Sequence, residues 1–138
     1  MKLYYSGNKI TKAHDTDLGF DLPIAEDVII PPNKTMVVRT GIRMVFPEGV
    51  GGLIKDRSSM AKRGIFVHGG VIDPDYTGEI RVVLFNSNSN PIKLKRGERI
   101  AQLLLFPLMK VEVVEVDNIE DFATNKLRGE KGFGSSGK

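Results

Sequence analysis

The sequence predicts an all-β fold, a jelly roll or distorted β-barrel, from two observations. First, apolar and β-branched runs recur about every ten residues between turns that contain glycine or proline, which is typical of sandwiches and barrels. Second, apolar residues rarely recur at the spacing of three or four that marks a helix. The 138 residues suit one domain with one hydrophobic core.

The apolar runs predict the strands, and the turn residues bound them. The strands cover, in order, residues 28–30, 36–38, 42–46, 50–54, 65–67, 71–72, 80–85, 100–106 and 111–116. Gly41 separates the second run from the third, and the pair Gly69 and Gly70 lies between two short runs, as in a hairpin. Residues 111–116 alternate roughly between apolar and charged side chains, which predicts a half-exposed strand.

The remaining segments predict one helical turn and a C-terminal arm. Ser58 and Gly64 bound the helical turn, the serine as N-cap and the glycine as stop. Residues 125–138 are polar, rich in glycine and serine, and contain no apolar run. The sequence therefore predicts a β-domain over residues 1–124 and a mobile arm over residues 125–138.

Charge and composition exclude several classes of protein. The net charge of +3 and the pI of 9.2 are mildly basic, but no run of four basic residues occurs, which disfavours nucleic-acid binding and suits a small anionic substrate. The absence of cysteine excludes disulfides, cysteine-ligated zinc and cysteine nucleophiles. No apolar run is long enough for a membrane span, and the first residues lack a signal-peptide core. We expect a cytoplasmic protein that binds neither membrane nor nucleic acid.

Glycine is over-represented, with 15 residues in the chain. Four of them, at positions 129, 132, 134 and 137, match parts of a dinucleotide fingerprint and of a P-loop. Both motifs need a strand before them and a helix after them, which the sequence does not offer here. The glycines, together with Arg128 and Phe133, fit either a disordered end or a segment that wraps an anion.

The segment from Gly69 to Ile80 contains a candidate catalytic carboxylate. Asp73 follows an apolar pair and could lie at the edge of the core, where it could orient or deprotonate a water molecule. Tyr76 could present the face of its ring to a sugar. The sequence Asp73-Pro74-Asp75 is also an ordinary turn, so both interpretations stay open.

Two further segments could bind phosphate. Arg57, beside Ser58 and Ser59, offers a guanidinium and two hydroxyl groups, although the serines could simply cap a helix. Gln102 lies within an apolar strand, where its amide must be paired either with the protein or with a ligand.

Acidic and histidine residues give weaker signals. Asp17 and Asp21 could hold Mg²⁺ directly or through water, but exposed carboxylates are usually only solvated. His14 and His68 lack the spacing of metal ligands, and no serine-nucleophile elbow accompanies them. We interpret both histidines as surface or loop residues.

Taken together and in this order, five segments resemble the motifs of the trimeric dUTPase family. They are Asp17–Leu22, Arg57–Ala61, Gly70–Glu79, Gly97–Leu103 and Arg128–Gly137. The resemblance implies a dUTPase-like jelly roll, a homotrimer whose sites are shared between subunits, and Mg²⁺-dependent hydrolysis of dUTP to dUMP and pyrophosphate. Such an enzyme keeps uracil out of DNA and supplies dUMP for dTMP synthesis.

The resemblance also assigns roles to residues of the third motif. It implies that Asp73 activates the attacking water and that Tyr76 stacks on the deoxyribose and excludes a 2′-hydroxyl. The backbone of the hairpin around Val67, His68 and Gly70 would read the uracil edge. Fixed backbone donors and acceptors pair with uracil but oppose the amino group of cytosine.

The other motifs would supply the metal and phosphate contacts. The resemblance implies that Asp21 reaches Mg²⁺ through a bound water and that Phe133, from another subunit, covers the uracil. The remaining substrate-binding residues are Arg57, Ser58, Ser59, Gln102, Arg128, Gly134, Ser135 and Ser136. The sequence departs from the family pattern at Asp17, Asp56 and Lys131, and none of these changes removes a catalytic group.

Three alternatives remain beside a dUTPase. A dCTP deaminase shares the fold, but the Phe-Gly-Ser-Ser tail and the short chain disfavour it. A regulatory nucleotide-binding protein could keep the fold without the activity, which the presence of all five motifs disfavours. A nucleic-acid-binding β-barrel would need a basic and aromatic platform that the sequence lacks.

Overall fold

The protein is built from antiparallel strands, which confirms the all-β prediction. The computed structural model describes residues 1–134 and residue 137. The strands are β1 (Tyr4–Gly7), β2 (Phe20–Pro23), β3 (Val28–Ile30), β4 (Thr35–Val45), β5 (Val50–Lys55), β6 (Ile65–His68), β7 (Val71–Ile72), β8 (Glu79–Asn86), β9 (Ile92–Leu94) and β10 (Arg99–Pro107). Helical structure is limited to α1 (Ser58–Lys62) and a 3₁₀ turn (Ile119–Phe122) in the described part of the chain.

Two four-stranded sheets enclose one core, as in a jelly roll. The first sheet has the order β1-β4-β8-β6 and the second the order β2-β10-β5-β7, while β3 and β9 form a separate pair. In the long strands β4 and β8, alternate side chains point into the core: in β8, Ile80, Val82 and Leu84 are buried whereas Arg81 is exposed. Leu22 and Leu103 meet them from the second sheet.

Strand β4 differs from the prediction at Gly41. The predicted break at this glycine is wrong, because one strand continues from Thr35 to Val45. Gly41 has a φ of 68°, and the pairing with β8 shifts register between Arg39 and Arg43. The glycine therefore allows a bulge within the strand instead of ending it.

The segment around Gly69 and Gly70 is not a hairpin. β6 pairs with β8 in the first sheet, whereas β7 pairs with β5 in the second. Gly69 and Gly70 have φ values of 67° and 103°, which residues with a side chain rarely adopt. The two glycines thus carry the chain from one sheet to the other, and we call residues 67–70 the crossing segment.

The helical turn is confirmed, but its start differs from the prediction. The N-cap residue is Arg57, and no side chain caps the helix, so the prediction of a serine N-cap is wrong. Gly64 does end the turn as expected: its φ is 78°, and its N–H donates to the carbonyl of Ala61 at 2.9 Å.

Residues 108–118 follow β10 without entering a sheet. The prediction of a strand over 111–116 is wrong for the single chain, because these residues pair with no strand among those described. Their apolar side chains are exposed, and Val113 keeps 89% of its accessible surface. The alternating pattern is present in the sequence, but the chain itself offers no partner for it.

Asn86 is a fully buried polar residue that ties the end of β3 and the loop between β8 and β9 to the core. Its amide nitrogen donates to the carbonyls of Ile30 (3.0 Å) and Asn90 (2.9 Å), and its oxygen accepts from the N–H of Asn88 (2.9 Å). A buried amide in this position is stable only because each of its polar groups is paired. Removal of this side chain would leave several buried backbone groups without a hydrogen-bond partner.

We predict that Asn86→Ala lowers the free energy of unfolding by about 3 kcal/mol, since it leaves buried partners unsatisfied. Urea denaturation at one fixed protein concentration measures the change. The exposed Asn125 provides the control, and Asn125→Ala should change the free energy by less than about 0.5 kcal/mol. Equal effects of the two substitutions would contradict a structural role for Asn86.

Candidate functional site

One cluster of charged side chains lies where β2, β10 and the end of β5 run side by side. The register places Gln102 opposite Asp21 on one side and opposite Lys55 on the other. Arg57 lies two residues after the end of β5, and its Nε lies 3.1 Å from Oδ1 of Asp21. Arg99 contributes a second guanidinium at 3.5 Å from Oδ2 of the same carboxylate.

The amide of Gln102 is paired within the protein. Its Nε2 donates to the carbonyl of Asp56 at 2.8 Å, which answers why a polar side chain occurs in this apolar strand. Gly19 packs against it so closely that a Cβ there would lie 2.2 Å from Oε1 of Gln102. The glycine therefore lets the loop before β2 approach the glutamine.

An arginine-rich cleft of about 380 Å³ opens beside this cluster. Arg57, Arg63 and Arg99 line it, with Ser59 and the single carboxylate of Glu98. The side chain of Ser58 is exposed at the start of α1 next to this cleft. Three guanidinium groups face the carboxylate of Glu98, and Asp21 beside the cleft pairs with two of them. The cleft therefore keeps a positive charge that attracts an anion.

The crossing segment is held against the end of β5 at two points. The N–H of Ile54 donates to the carbonyl of Gly70 at 2.8 Å, and the N–H of Val67 donates to the carboxylate of Asp56. A Cβ on Gly70 would lie 2.6 Å from the carbonyl oxygen of Ile54. The backbone of the segment is therefore fixed where a side chain would not fit.

His68 lies on the outer surface of the crossing segment. Its side chain is exposed, and its ring centroid lies 5.4 Å from that of Phe85. The prediction that His68 is a surface or loop residue fits this position.

Asp73 and Tyr76 lie in a second cleft, of about 220 Å³, with Glu79 and Arg81. Asp73 follows β7 and its side chain is exposed in the single chain, so it is not drawn into the core. The turn after it is rigid: the N–H of Tyr76 donates to the carbonyl of Asp73 at 3.1 Å, and the Tyr76 hydroxyl donates to the carbonyl of Glu79 at 2.7 Å.

The two clefts lie at opposite ends of β5. Gly51, at its start, contacts the ring of Pro74 next to Asp73, whereas Asp56 and Arg57 follow its last residue. Asp56 follows Gly51 by five positions, which corresponds to roughly 16 Å at the usual rise per strand residue. The chain thus brings Asp21, Arg57 and Gln102 together, whereas Asp73 lies apart from them. The crossing segment lies between the two places: Val67 contacts Asp56, and Gly70 precedes Asp73 by three residues.

Three predicted site residues of the arm, Arg128, Phe133 and Gly134, line neither cleft. Arg128 and Gly134 are exposed, and Phe133 is fully exposed with a φ of 38°. Ser135 and Ser136 lie outside the described residues.

A metal would find few ligands in the single chain. Residues 1–134 and 137 contain no group of three or more acidic or histidine side chains that could hold an ion. The carboxylate of Asp21 already faces Arg57 and Arg99, while Asp17 accepts the N–H of His14 at 2.9 Å. A magnesium ion prefers phosphate oxygens and water, so this donor set fits an ion that arrives with a polyphosphate. No helix in the part of the chain that the structure describes is long and apolar enough to cross a membrane.

Glu79 joins the strands that carry the second cleft. Its carboxylate accepts from Nε of Arg39 (3.1 Å) and from the N–H of Gly41 (3.0 Å), and Arg81 lies 3.6 Å away. The hydrogen bond from Arg39 holds the pKa of Glu79 below its ordinary value, against a weaker effect of burial in the opposite direction. The carboxylate is therefore charged where Tyr76 contacts its backbone.

Sequence reasoning did not predict the contacts that hold the candidate residues in place. It missed the role of Glu79, which depends on the bulge at Gly41, and the pairing of Arg99 with Asp21. The contact between Arg99 and Asp21 follows from the pairing of residues 20–23 with residues 99–103, so knowledge of that pairing would have indicated it. The contact between Asp56 and Val67 joins residues eleven positions apart and leaves no periodic signal.

Comparison with known proteins decides the family. The family model described as dUTPase matches residues 6–137, nearly the whole chain. The chain belongs to the dUTPase family. Its activity is the hydrolysis of dUTP, that of a dUTP diphosphatase.

Individual dUTPases resemble the chain over most of their length. The deoxyuridine 5′-triphosphate nucleotidohydrolase of Corynebacterium jeikeium is 45% identical over 130 residues, which cover 91% of this chain and 83% of that protein. The Candida glabrata protein of the same name is 42% identical over 130 residues, with coverages of 93% and 88%.

Solved dUTPase structures share the fold. EIAV dUTPase has a TM-score of 0.75 at 36% identity, and the match covers 84% of this chain and 97% of that one. The dUTPase of Staphylococcus bacteriophage 80alpha, solved with dUpNHpp, has a TM-score of 0.87 at 28% identity, with 99% coverage of both chains.

We predict that Glu79→Gln destabilises this dUTPase by about 1 kcal/mol at pH 7, since a charged hydrogen-bond acceptor is lost at a partly exposed site. The pKa of Glu79 is lower in the folded than in the unfolded chain. Its contribution is therefore complete above the unfolded pKa of about 4.3 and is lost as the pH falls through the folded value. The difference in stability between wild type and Glu79→Gln should shrink over that window.

Urea denaturation at a series of pH values between 7 and 3 measures this difference. Glu48→Gln, at an exposed turn, serves as the control and should leave the pH dependence unchanged. A constant difference between wild type and Glu79→Gln across the series would contradict the role assigned to Glu79.

Proposed function

We propose that the chain hydrolyses dUTP at the α-phosphate, with Asp73 as the base that activates the attacking water. The observation that carries the proposal is the hydrogen-bonded turn from Asp73 to Glu79, which fixes the backbone of Asp73 beside Tyr76 and places its exposed carboxylate at a cleft. Its side chain is open to water in the single chain, and a general base needs a water within hydrogen-bond reach.

In this proposal the reaction is one displacement. Asp73 takes a proton from the water, whose oxygen bonds to the α-phosphorus while the bond to the pyrophosphate oxygen breaks. The products are dUMP and pyrophosphate. Tyr76 packs against the deoxyribose, and the closely packed ring leaves little space for a 2′-hydroxyl. Positioning and neutralisation of charge supply most of the catalysis in phosphoryl transfer.

The crossing segment would read the base. Its backbone is fixed by the two contacts to the end of β5, and the glycine at position 70 leaves the backbone uncovered. A fixed pattern of donors and acceptors can pair with the N3–H and O4 of uracil. Cytosine would place a donor against a donor there, which costs more than the loss of one hydrogen bond.

The arginine-rich cleft would bind the phosphates. Arg57 and Arg99 carry the positive charge, with Ser58, Ser59 and Gln102 as uncharged donors. In the single chain the Arg57 guanidinium is held by Asp21, which keeps it in one orientation. A guanidinium in a fixed orientation loses less entropy when it binds an anion.

Magnesium would bind with the substrate. Members of the dUTPase family are generally metal-dependent. We propose that Mg²⁺ is held by phosphate oxygens and water, with Asp21 in contact through one of those waters. When bound, the ion would offset part of the negative charge of the triphosphate.

We propose that the active unit is a homotrimer in which each site is built from several subunits. The separation of Asp73 from the arginine-rich cleft supports shared sites, because one chain leaves the catalytic and phosphate-binding groups at opposite ends of β5. The exposed apolar side chains after β10 support association. The arm from a neighbour would then place Phe133 over the uracil and Arg128 on the phosphates.

The cellular role follows from the reaction. Removal of dUTP keeps uracil out of DNA, and the product dUMP feeds dTMP synthesis. We propose a cytoplasmic location, because the substrate belongs to the intracellular nucleotide pool.

We predict that Asp73→Asn lowers kcat for dUTP about 1,000-fold, the usual contribution of a general base. The affinity for the non-hydrolysable dUpNHpp should stay within about threefold, since the amide keeps the size of the side chain. Pyrophosphate release and calorimetry measure the two quantities. Asp75→Asn, two residues along the same turn, is the matched control and should retain activity.

Wild-type pyrophosphate release by Asp73→Asn would refute the assignment of the base. A panel of dUTP, dCTP, dTTP and UTP, with and without Mg²⁺, tests the substrate at the same time. Ammonia release from dCTP would instead indicate deamination.

We predict that deletion of residues 125–138 lowers kcat/KM about 100-fold while the trimer remains, because the arm orients the substrate and its described residues lie outside the sheets. Light scattering measures the assembly and pyrophosphate release the activity. Phe133→Ala should cause part of the loss. A truncated chain with normal turnover would contradict the role of the arm, and a monomeric wild type would contradict the trimer.

A further inference from the structure

The turn that carries Tyr76 is held from outside by a side chain of β4. Nε of Arg43 donates to the backbone carbonyl of Thr77 at 2.8 Å. Among the described residues, this is the one hydrogen bond that joins residues 73–78 to a strand other than β8, where the Tyr76 hydroxyl has its acceptor. The bond from the N–H of Tyr76 to the carbonyl of Asp73 stays within the turn.

Arg43 makes this contact from a rigid position. Its Cα is paired with that of Ser6 in β1 and with that of Glu79 in β8, so a strand lies on each side of it. The regular pairing of β4 with β8 is interrupted between Arg39 and Arg43, at the bulge of Gly41. After the bulge, Arg43 therefore lies opposite the first residue of β8 and beside the turn that precedes this strand.

The ring of Tyr76 lies against the backbone that follows it. A Cβ on Gly78 would lie 2.5 Å from the hydroxyl oxygen of Tyr76 and 2.6 Å from its Cζ. The hydroxyl donates to the carbonyl of Glu79 at 2.7 Å. Because glycine restricts its own backbone less than any other residue, the backbone beneath the ring depends for its orientation on the two neighbours of Gly78.

Both neighbours of Gly78 are held by arginines of β4. Arg43 holds the carbonyl of Thr77, and Arg39 donates to the carboxylate of Glu79 at 3.1 Å. The two contacts differ, because Glu79 already belongs to β8, whereas Thr77 belongs to no strand. The orientation of Thr77 therefore depends on its arginine more than that of Glu79 does.

We propose that Arg43 is a positioning residue that fixes the ring of Tyr76 and so sets the discrimination against nucleotides with a 2′-hydroxyl. The proposal rests on the proposed role of Tyr76 against the deoxyribose. A site that excludes an added hydroxyl by packing does so only as far as its atoms keep their places. Arg43 contacts no reacting atom.

The loss of Arg43 would loosen the ring of Tyr76 without displacing it. The ring keeps its hydrogen bond to the carbonyl of Glu79, whereas the peptide between Thr77 and Gly78 loses its external contact. A loosened ring can yield to a 2′-hydroxyl, while a deoxyribose still fits against it. The effect should therefore fall on sugar selectivity more than on the chemical step.

The first test compares Arg43→Met with Arg43→Lys in the full-length protein. Methionine keeps an unbranched side chain without a donor, whereas lysine keeps a charged donor. We expect Arg43→Met to lower the preference for dUTP over UTP in kcat/KM about tenfold, with kcat for dUTP within about threefold of wild type. Arg43→Lys should return the preference to within about threefold of wild type.

Pyrophosphate release measures both substrates, with UTP assayed at high enzyme concentration. Arg43 is exposed, so both variants should fold, and urea denaturation checks this. An unchanged preference in Arg43→Met would overturn the proposal. Equal losses of preference in the methionine and lysine variants would overturn it too, because the effect would then not depend on the donor.

Lys93→Met is the matched control for the loss of charge. Lys93 is exposed on β9 and lines neither the cleft of Asp73 nor the arginine-rich cleft. This variant should leave kcat and the preference for dUTP over UTP unchanged. A loss equal to that in Arg43→Met would assign the effect to net charge and overturn the proposal.

Tyr76→Ala separates the proposal from the function on which it rests. We expect this variant to lower the preference for dUTP over UTP, and the addition of Arg43→Met should lower it no further, because both residues act through one ring. An unchanged preference in Tyr76→Ala would refute the role of Tyr76 itself. If Tyr76→Ala lowers the preference, a further loss in the double variant would overturn the positioning role of Arg43 alone.

Discussion

The pairing of β5 with a strand on each side is the constraint on which the site depends. β10 lies along one edge of β5 and the short β7 along the other. This pairing fixes where the neighbouring segments lie at each end of β5. Pro74 lies against Gly51 at one end, and Arg57 follows the other end. The length of β5 then sets the distance between Asp73 and the arginine-rich cleft, independently of the conformation of the loops.

Glycines make this arrangement sterically possible at the points where backbones meet. At Gly51 a Cβ would lie 2.8 Å from the carbonyl of Ile72, and at Gly70 2.6 Å from that of Ile54. Both positions flank the passage of the chain from the first sheet to the second. The high glycine content, which by composition suggests only turns and a loose end, thus partly reflects close contacts between backbones within the site.

The sequence predicts the buried strands well because burial leaves a pattern. Ile80 to Phe85 and Ile100 to Phe106 were predicted within one or two residues of β8 and β10. β1, β2 and β9 were not predicted: β1 is exposed throughout, and β2 and β9 are short strands that each bury only one residue fully. The assignment of β6 and β7 to different sheets could not be predicted either, because strand partners depend on contacts far apart in sequence. For the same reason the motifs indicate Asp21 and Arg57 separately, whereas their ion pair is visible only in the fold.

The segment after β10 relates the apolar pattern of the sequence to the proposed association of subunits. In β10 the residues Ile100 to Leu103 are largely buried, but from Leu105 onward the side chains become exposed, although the sequence stays as apolar. An alternating apolar run costs free energy in water and gains it only on a surface that covers one face. The described chain provides no such surface. The apolar face of residues 111–116 would be covered if another subunit supplied that surface. The failure of the strand prediction in one chain and the proposal of shared sites therefore have the same physical cause.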